Sequence, residues 1–467
     1  MVSGPSLTPR LLQEAQRAEA AASEAGLTFF EVVFEMLDAA DVNAVAAYGG
    51  FPTRYASWRF GMEYERLAKG HEWGLSKIYE LVVNHDPTIA YLVRSNSLME
   101  QKLVMAHVFG HADFFRNNAW FAPTERSMLE RFEEHARRIQ EYVVRHGQDR
   151  VERFIDVALS LEPLMDPHGP QRRYRAAESR SRRGGAPSAT SQVERSRASL
   201  RLVMGDDPPA PDPGQRQLPT FDLLAFIGEH AQLEDWERDV LGIVASEAEY
   251  FMPQRLTKII NEGWASFWHS RLLTGGLLDP CELVEFADCH SSATQAAPGQ
   301  LNPYKLGIEL FRHAERQGLD LFRLRAVHND VSFVDEVMDE DFIERSALFV
   351  AEQGRGGDGA RIGSRDHRRV KQELLRSLAW AGQPRIELVE VASGGQRDLV
   401  LRHHHDGRDL KLDEAAAVLK TIEALWRAPV QLLTSEGDQE RRLTAHGGEV
   451  EVREASAPPS ALPSRAG

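Results

Sequence analysis

The run Leu103-Val104-Met105-Ala106-His107-Val108-Phe109-Gly110-His111-Ala112-Asp113-Phe114-Phe115 decides how this chain is read. It contains no proline, and Val104, Val108 and Phe115 recur at helical spacing, so it predicts an α-helix. Within it His107 and His111 stand at i, i+4, which puts both imidazoles on one face. That is a metal-binding geometry. Two helical histidines and a carboxylate from a second helix leave one coordination position open for water or substrate, as catalytic zinc requires.

The second half of such a site is available at Asn261-Glu262-Gly263-Trp264-Ala265-Ser266-Phe267-Trp268-His269. Glu262 and His269 stand at i, i+7 and share a helical face, while Gly263, Ala265 and Ser266 between them let a neighbouring helix come close. The expected cofactor is a divalent metal, zinc by donor type, held by His107, His111 and Glu262. His269 is expected as a fourth ligand or as the group that orients one of the others. Glu100, seven residues before His107 on the same face, is the expected proton acceptor for a metal-bound water, with Glu65 and Asp113 ranked behind it. The bland alternative makes His107 and His111 core histidines satisfied by hydrogen bonds, with Glu262 paired to an arginine.

Outward from these segments the pattern stays helical. Mostly helix is expected from Ser6 to Leu161, with Leu67, Leu75, Ile78 and Leu81 near one face and turns at Gly49-Gly50-Phe51-Pro52, Asn84-His85-Asp86-Pro87 and Asn117-Asn118. Helical spacing resumes at Phe221 and runs through Trp236, Leu241 and Trp268. Near the C-terminus Arg385 to Val391 alternates with the period of a strand, Asp398 to His404 reads as its partner, Glu414 to Trp426 as an amphipathic helix and Val430 to Leu433 as a further strand. The expected fold is therefore α+β, a predominantly α-helical body with a small β-containing C-terminal module. Its expected division is a helical first half at 1–169, a flexible Arg/Ser/Pro-rich linker at 170–217, a helical second half at 218–320, the C-terminal α/β module at 321–453 and a disordered tail at 454–467.

The 467 residues exceed what one hydrophobic core serves, and 42% hydrophobic with 27% charged residues describes a folded globular chain rather than a disordered one. A net charge of −15 argues against nucleic acid or an anionic membrane as the main partner, since both select basic surfaces. No stretch reaches the roughly 20 apolar residues of a membrane span, so a cytoplasmic location is expected. Cys281 and Cys289 are too few for a disulfide framework and lack Cys-x-x-Cys spacing, which leaves buried reduced thiols as the expectation.

Other motifs weigh less. His403-His404-His405 lies on an expected strand, where neighbours point to opposite faces and cannot converge on one ion. Cys289-His290 is given no role. Trp58, Tyr64, Trp73, Trp264, Phe267 and Trp268 read as core before they read as a cleft lining. Gly354-Arg355-Gly356-Gly357-Asp358-Gly359 lacks the Gly-Lys-Ser/Thr ending of a phosphate loop and reads as a surface loop.

Trp58-Arg59-Phe60-Gly61-Met62-Glu63-Tyr64-Glu65, Gly74 to Glu80, Gln101 to Asn118, Asn261 to Arg271, Asn302-Pro303-Tyr304-Lys305-Leu306-Gly307 and Asn329-Asp330-Val331-Ser332-Phe333 together resemble the signature blocks of the stage V sporulation protein R (SpoVR-like) family. The likeness runs from about Trp58 to the C-terminal module, apart from the linker. It implies a link to spore cortex formation, occurrence in bacteria that do not sporulate, and a serine kinase encoded nearby as a partner. Asn261-Glu262-Gly263-Trp264-Ala265 is also similar to the segment that supplies the third zinc ligand in gluzincin metallopeptidases. Their zinc helix carries His-Glu-x-x-His, however, and here Val108 stands where the glutamate base belongs. Two functions from different classes follow. One is a metal-dependent, zincin-like hydrolase acting on amide bonds of cell-wall material or protein; the other is a non-catalytic regulatory or scaffold protein that works with the kinase.

Overall fold

In the computed structural model, residues 6–72, 80–182, 218–294, 301–353, 360–392, 397–437 and 439–454 are described. Trp73, the stretch 183–217 that makes up most of the expected linker, the glycine-rich 354–359 and the tail 455–467 lie outside them. The fold is α+β, with a helical body and a five-stranded sheet near the C-terminus. Among the described residues the chain forms two compact units. One holds the residues up to Glu141 and from Tyr250 to Ala379; the other holds those from Tyr142 to Glu249 and from Trp380 onward.

The first unit is built on helix α4, Leu98–Asn117. Its start is fixed by a capping box: the Glu100 N–H donates to Ser97 Oγ at 3.1 Å, and the Ser97 N–H donates to Glu100 Oε2 at 2.7 Å. From Val104 to Phe115 nearly every side chain is buried, so the helix runs through the core rather than along its edge. Before it come α1 (Pro9–Glu24), β1 (Val32–Leu37), α2 (Ala39–Ala47), α3 (Trp58–Glu72), β2 (Glu80–Val83) and β3 (Thr88–Val93); α5 (Met128–His146) begins after it.

The three strands add a sheet that the expectation of mostly helix from Ser6 to Leu161 did not contain. They form a sheet of order β1-β3-β2, with β1 and β3 parallel and β2 antiparallel to β3. Val32, Phe34 and Met36 alternate inward along β1, a period of two carried by only three apolar side chains. Leu81, grouped by spacing with Leu67 on a helix face, lies on β2, and Asn84 to Pro87 joins two strands rather than two helices. The thiol expectation is corrected too: Cys281 is exposed and Cys289 only partly buried.

The second unit carries α6 (Gln148–Leu161), α7 (Gly169–Arg182), α8 (Leu223–His230), most of α9 (Asp235–Leu256) and the C-terminal sheet. Helix α7 runs into the first part of the segment expected to be linker.

The remaining helices of the first unit are α10 (Lys258–Leu272), α11 (Leu283–Thr294), α12 (Pro303–Arg316), α13 (Leu321–Val327), α14 (Asp330–Val337), α15 (Glu340–Arg345) and α16 (His367–Leu378), with the short pair β4 (Val350–Gln353) and β5 (Ala360–Ser364) before α16. Helix α10 is wedged between α4 and α12. A Cβ on Gly263 would lie 2.5 Å from the Gly307 Cα, and one on Gly110 would lie 2.6 Å from the Ala265 Cα. Positions 263 and 265 are about 200° apart around a helix, so the small residues admit one neighbour on each side.

The C-terminal sheet runs β6 (Ile386–Val391), β7 (Leu399–His403), β8 (Val430–Glu436), β9 (Gln439–His446) and β10 (Glu449–Glu454) in the order β10-β9-β8-β7-β6. Helix α17 (Leu412–Trp426) makes the crossover between parallel β7 and β8. The sequence contains the strand-strand-helix-strand core of this arrangement; the polar β9–β10 hairpin extends it. On β7 and just beyond, His403 faces Thr434 at 2.9 Å, His404 faces Glu387 at 2.8 Å and His405 faces Asp409 at 2.8 Å, three separate partners.

Candidate metal centre

His107 and His111 project from the middle of α4, and Glu262 from the second turn of α10. The close approach at Gly110 and Ala265 brings these faces together across 150 residues of sequence. His107 Nε2 and His111 Nε2 lie 3.0 Å apart, and Glu262 Oε2 stands 3.7 and 3.5 Å from them. Both imidazoles are buried and the Glu262 side chain is 16% exposed. Glu262 Oε2 is itself a buried oxygen at hydrogen-bond distance from no donor.

The outer nitrogens of the two rings fix what the inner ones present. His111 Nδ1 lies 3.0 Å from Asn261 Oδ1, an acceptor, so Nδ1 carries the hydrogen and Nε2 offers a lone pair. His107 Nδ1 lies 2.9 Å from His269 Nδ1, and His269 Nε2 lies 3.0 Å from His290 Nδ1. Burial, reinforced by neighbouring imidazoles, holds His269 well below the ordinary histidine range, and burial also lowers His290. A chain of neutral rings can run either way; with His107 donating to His269 and His269 donating to His290, His107 Nε2 presents a lone pair as well.

Two imidazole lone pairs and a carboxylate oxygen therefore face one another. Burial works to raise the Glu262 carboxyl, while hydrogen bonds and positive charge from protonated His107 and His111 would pull it well below the usual carboxylate range; with both rings neutral, that pull is left to a bound cation. Three converging acceptors repel unless a cation lies among them. The donor set suits zinc in kind. It suits it in size too: Zn–N and Zn–O bonds of roughly 2.0–2.1 Å in a tetrahedron separate the ligands by about 3.4 Å, and here the three separations are 3.0, 3.5 and 3.7 Å.

His269 does not join that triangle. It meets His107 through the nitrogen that faces away from Glu262, where it can set the orientation of that ring. Glu100 is corrected more sharply. Its carboxylate closes the capping box at the start of α4, about 10 Å along the axis from His107 at 1.5 Å per residue. Glu65 is an exposed residue of α3 paired with Lys69 at 2.9 Å.

Asp113 is buried and structural: it accepts from the Thr28 N–H at 2.8 Å and from Trp264 Nε1 at 2.8 Å, and pairs with Arg325 at 3.1 Å. Val108 is fully buried in the apolar core, so this position carries no polar group toward the histidines.

Three residues of the site escaped the reading of the sequence. Asn261 lay inside a quoted motif without a role. His290 was visible beside Cys289, but nothing in its own helix signals a partner on α10. Asp330 accepts the Ile259 and Ile260 N–H groups at 3.0 and 2.9 Å and so caps α10, whose own N-cap Thr257 makes no side-chain cap. Burial raises its carboxyl to about 7, against the pull of those two donors.

The described helices include none long and apolar enough to cross a membrane. No solved structure matches this chain. A relative from Escherichia coli (strain K12), carried as "Uncharacterized protein YcgB", is 29% identical over 430 residues, covering 82% of this chain and 83% of its own. The family model for SpoVR-like protein matches residues 7–383, and that for the SpoVR-like C-terminal domain matches 384–437. With both halves of the helical site and strands β6 to β8 of the C-terminal sheet inside those matches, this chain belongs to the SpoVR-like protein family.

Proposed function

We propose that this chain is a zinc-binding, zincin-like hydrolase of the cytoplasm, with His107, His111 and Glu262 as the metal ligands and amide bonds as the substrate class. The observation that carries the reading is the triangle of two imidazole lone pairs and one unpartnered carboxylate oxygen, sized for a tetrahedral ion with a fourth position to spare. When bound, such an ion polarises a carbonyl and acidifies a coordinated water. The chain's own residues do the rest. Asn261 and His269 hold the two ring tautomers, and Asp330 fixes the start of the helix that presents Glu262. The family link to spore cortex formation directs the search for substrate to cell-wall amides.

The duties of Glu100, Glu65 and Asp113 elsewhere, and the burial of Val108, favour a second reading. In it the metal is regulatory or structural, and the protein is a scaffold for a partner serine kinase. Incubating the purified chain, with and without one equivalent of zinc, with a denatured protein and with peptide-crosslinked cell-wall fragments separates the two. The hydrolase reading expects zinc-dependent release of new amino groups that is lost in His111→Ala. Bound zinc without such release would reject it in favour of the scaffold.

A further inference from the structure

The first unit holds a cavity lined by none of the histidine-site residues. It occupies about 520 Å³ between the outer face of the β1-β3-β2 sheet, helix α2 and the first turns of α5. Because Val32, Phe34 and Met36 turn toward the core, Glu35 and Leu37 point the opposite way. The register sets Glu35 beside Tyr91 on β3, and both line the cavity. Asp41 of α2 and Glu130 and Glu133 of α5 add three more carboxylates, and the lining contains no lysine or arginine. Glu130 is partly engaged by His85 at 3.2 Å.

An acidic rim alone would be only a solvated surface. Tyr91 makes the difference: it is 4% exposed, its ring is packed into the core with Phe51 and Phe132, and its hydroxyl has no hydrogen-bond partner among the described residues. Burial, and then the charge of Glu35, push that hydroxyl up to about 12, so it remains able to donate and to accept. With no protein partner, the hydroxyl in the cavity wall is open to a polar group brought by a ligand.

The carboxylates surround the space without converging. Among the described residues, the groups of three or more side chains whose ligand atoms lie within 4.8 Å of one another are His107–His111–Glu262 and His313–Asp339–Asp341. A bare metal ion, which needs oxygens at roughly 2.0–2.6 Å, is therefore poorly served. An organic cation spreads several N–H donors over a wider head and carries an apolar stem, which the Ile89 and Leu129 side chains in the lining would receive. The volume lies within the range of small-ligand sites, roughly 300–1,000 Å³.

We propose that this cavity binds an ammonium or guanidinium group on an aliphatic stem, with the cationic head between Glu35, Tyr91 and Asp41. The same chemistry is offered by a lysine side chain of a protein and by a free polyamine. The test is calorimetric titration of the full chain at low salt with N-acetyl-lysine methylamide, with its uncharged counterpart N-acetyl-norleucine methylamide, and with spermidine.

The lysine amide or spermidine should bind and the norleucine amide should not; whichever cation binds more tightly identifies the source. Glu35→Gln should weaken binding about tenfold, the loss of one charge-assisted hydrogen bond. Tyr91→Phe should weaken it severalfold, with zinc content unchanged in both. If Glu35→Gln melts lower than the parent, the exposed Glu133→Gln serves as the second variant. Absence of binding by both cations at low salt, equal binding of the norleucine amide, or undiminished binding in folded Glu35→Gln and Glu133→Gln would overturn the proposal.

Discussion

Gly110 meets Ala265 where the helix of the two histidines crosses the helix of Glu262, and a methyl group at 110 would stand 2.6 Å from the Ala265 Cα. Backbone cannot yield there as a flexible side chain could, so the helices must separate to admit it. Gly110→Ala should therefore lower stability by about 1–3 kcal/mol, despite alanine's better helix propensity, and weaken metal binding by moving Glu262 away from His107 and His111. Thermal melting and zinc titration check both parts. A variant as stable as the parent would show that the crossing is looser than described.

The roles of ligands and orienting residues divide by ring nitrogen. His111→Ala removes a ligand and should abolish stoichiometric zinc binding. His269→Ala and Asn261→Ala leave the triangle in place but free a ring to turn, and should weaken zinc by about 10- to 100-fold while keeping one ion per chain. Competition with a chromophoric chelator distinguishes these. If His269→Ala abolishes binding as completely as His111→Ala does, His269 is a ligand after all.

Asp330 gives stability a pH dependence of known sign. Its folded carboxyl titrates near 7, above the ordinary 3.8, so its contribution is full below about pH 4 and is lost as pH rises through about 7. Asp330→Asn cannot titrate, and its amide can still accept one of the two N–H groups at the start of α10. Denaturant unfolding at several pH values should find the parent more stable than Asp330→Asn at pH 4, with the gap narrowing toward pH 7. A gap that widens as pH rises would mean that the capping carboxylate is ionised throughout.

The i, i+4 histidines and the Asn-Glu-Gly-aromatic-Ala stretch were legible in the sequence because each lies within one helix, where spacing dictates facing. What joins them is a contact across 150 residues, and only the small residues Gly263, Ala265 and Ser266 hinted at it; Gly110 on the facing helix was not read. Which nitrogen of His107 meets His269 depends on helix rotation, so ligand and orienting group could not be told apart. Glu100 had the correct face but the wrong height, because a shared face says nothing of distance along the axis. The amino-terminal sheet was hidden because β2 and β3 are short apolar runs that look alike as strand or buried helix. The C-terminal module was clearer, since strand alternation and an amphipathic helix fall there in separate windows.

Val108 tests whether this centre is a gluzincin that merely lost its base. Its side chain is fully buried among apolar residues. Val108→Glu should therefore cost roughly 2–7 kcal/mol through an unpaired buried carboxyl and confer no hydrolysis. A folded Val108→Glu protein with new zinc-dependent amide cleavage would contradict the placement of this side chain.

The central claim is that His107, His111 and Glu262 share one cation, and metal analysis tests it most directly. Purified chain should carry, or take up from one equivalent of zinc, one ion with nitrogen and oxygen ligands at about 2.0–2.1 Å by X-ray absorption, and Glu262→Gln should lose it. A parent protein that stays zinc-free after incubation, or a Glu262→Gln variant that binds zinc as tightly as the parent, would contradict the account.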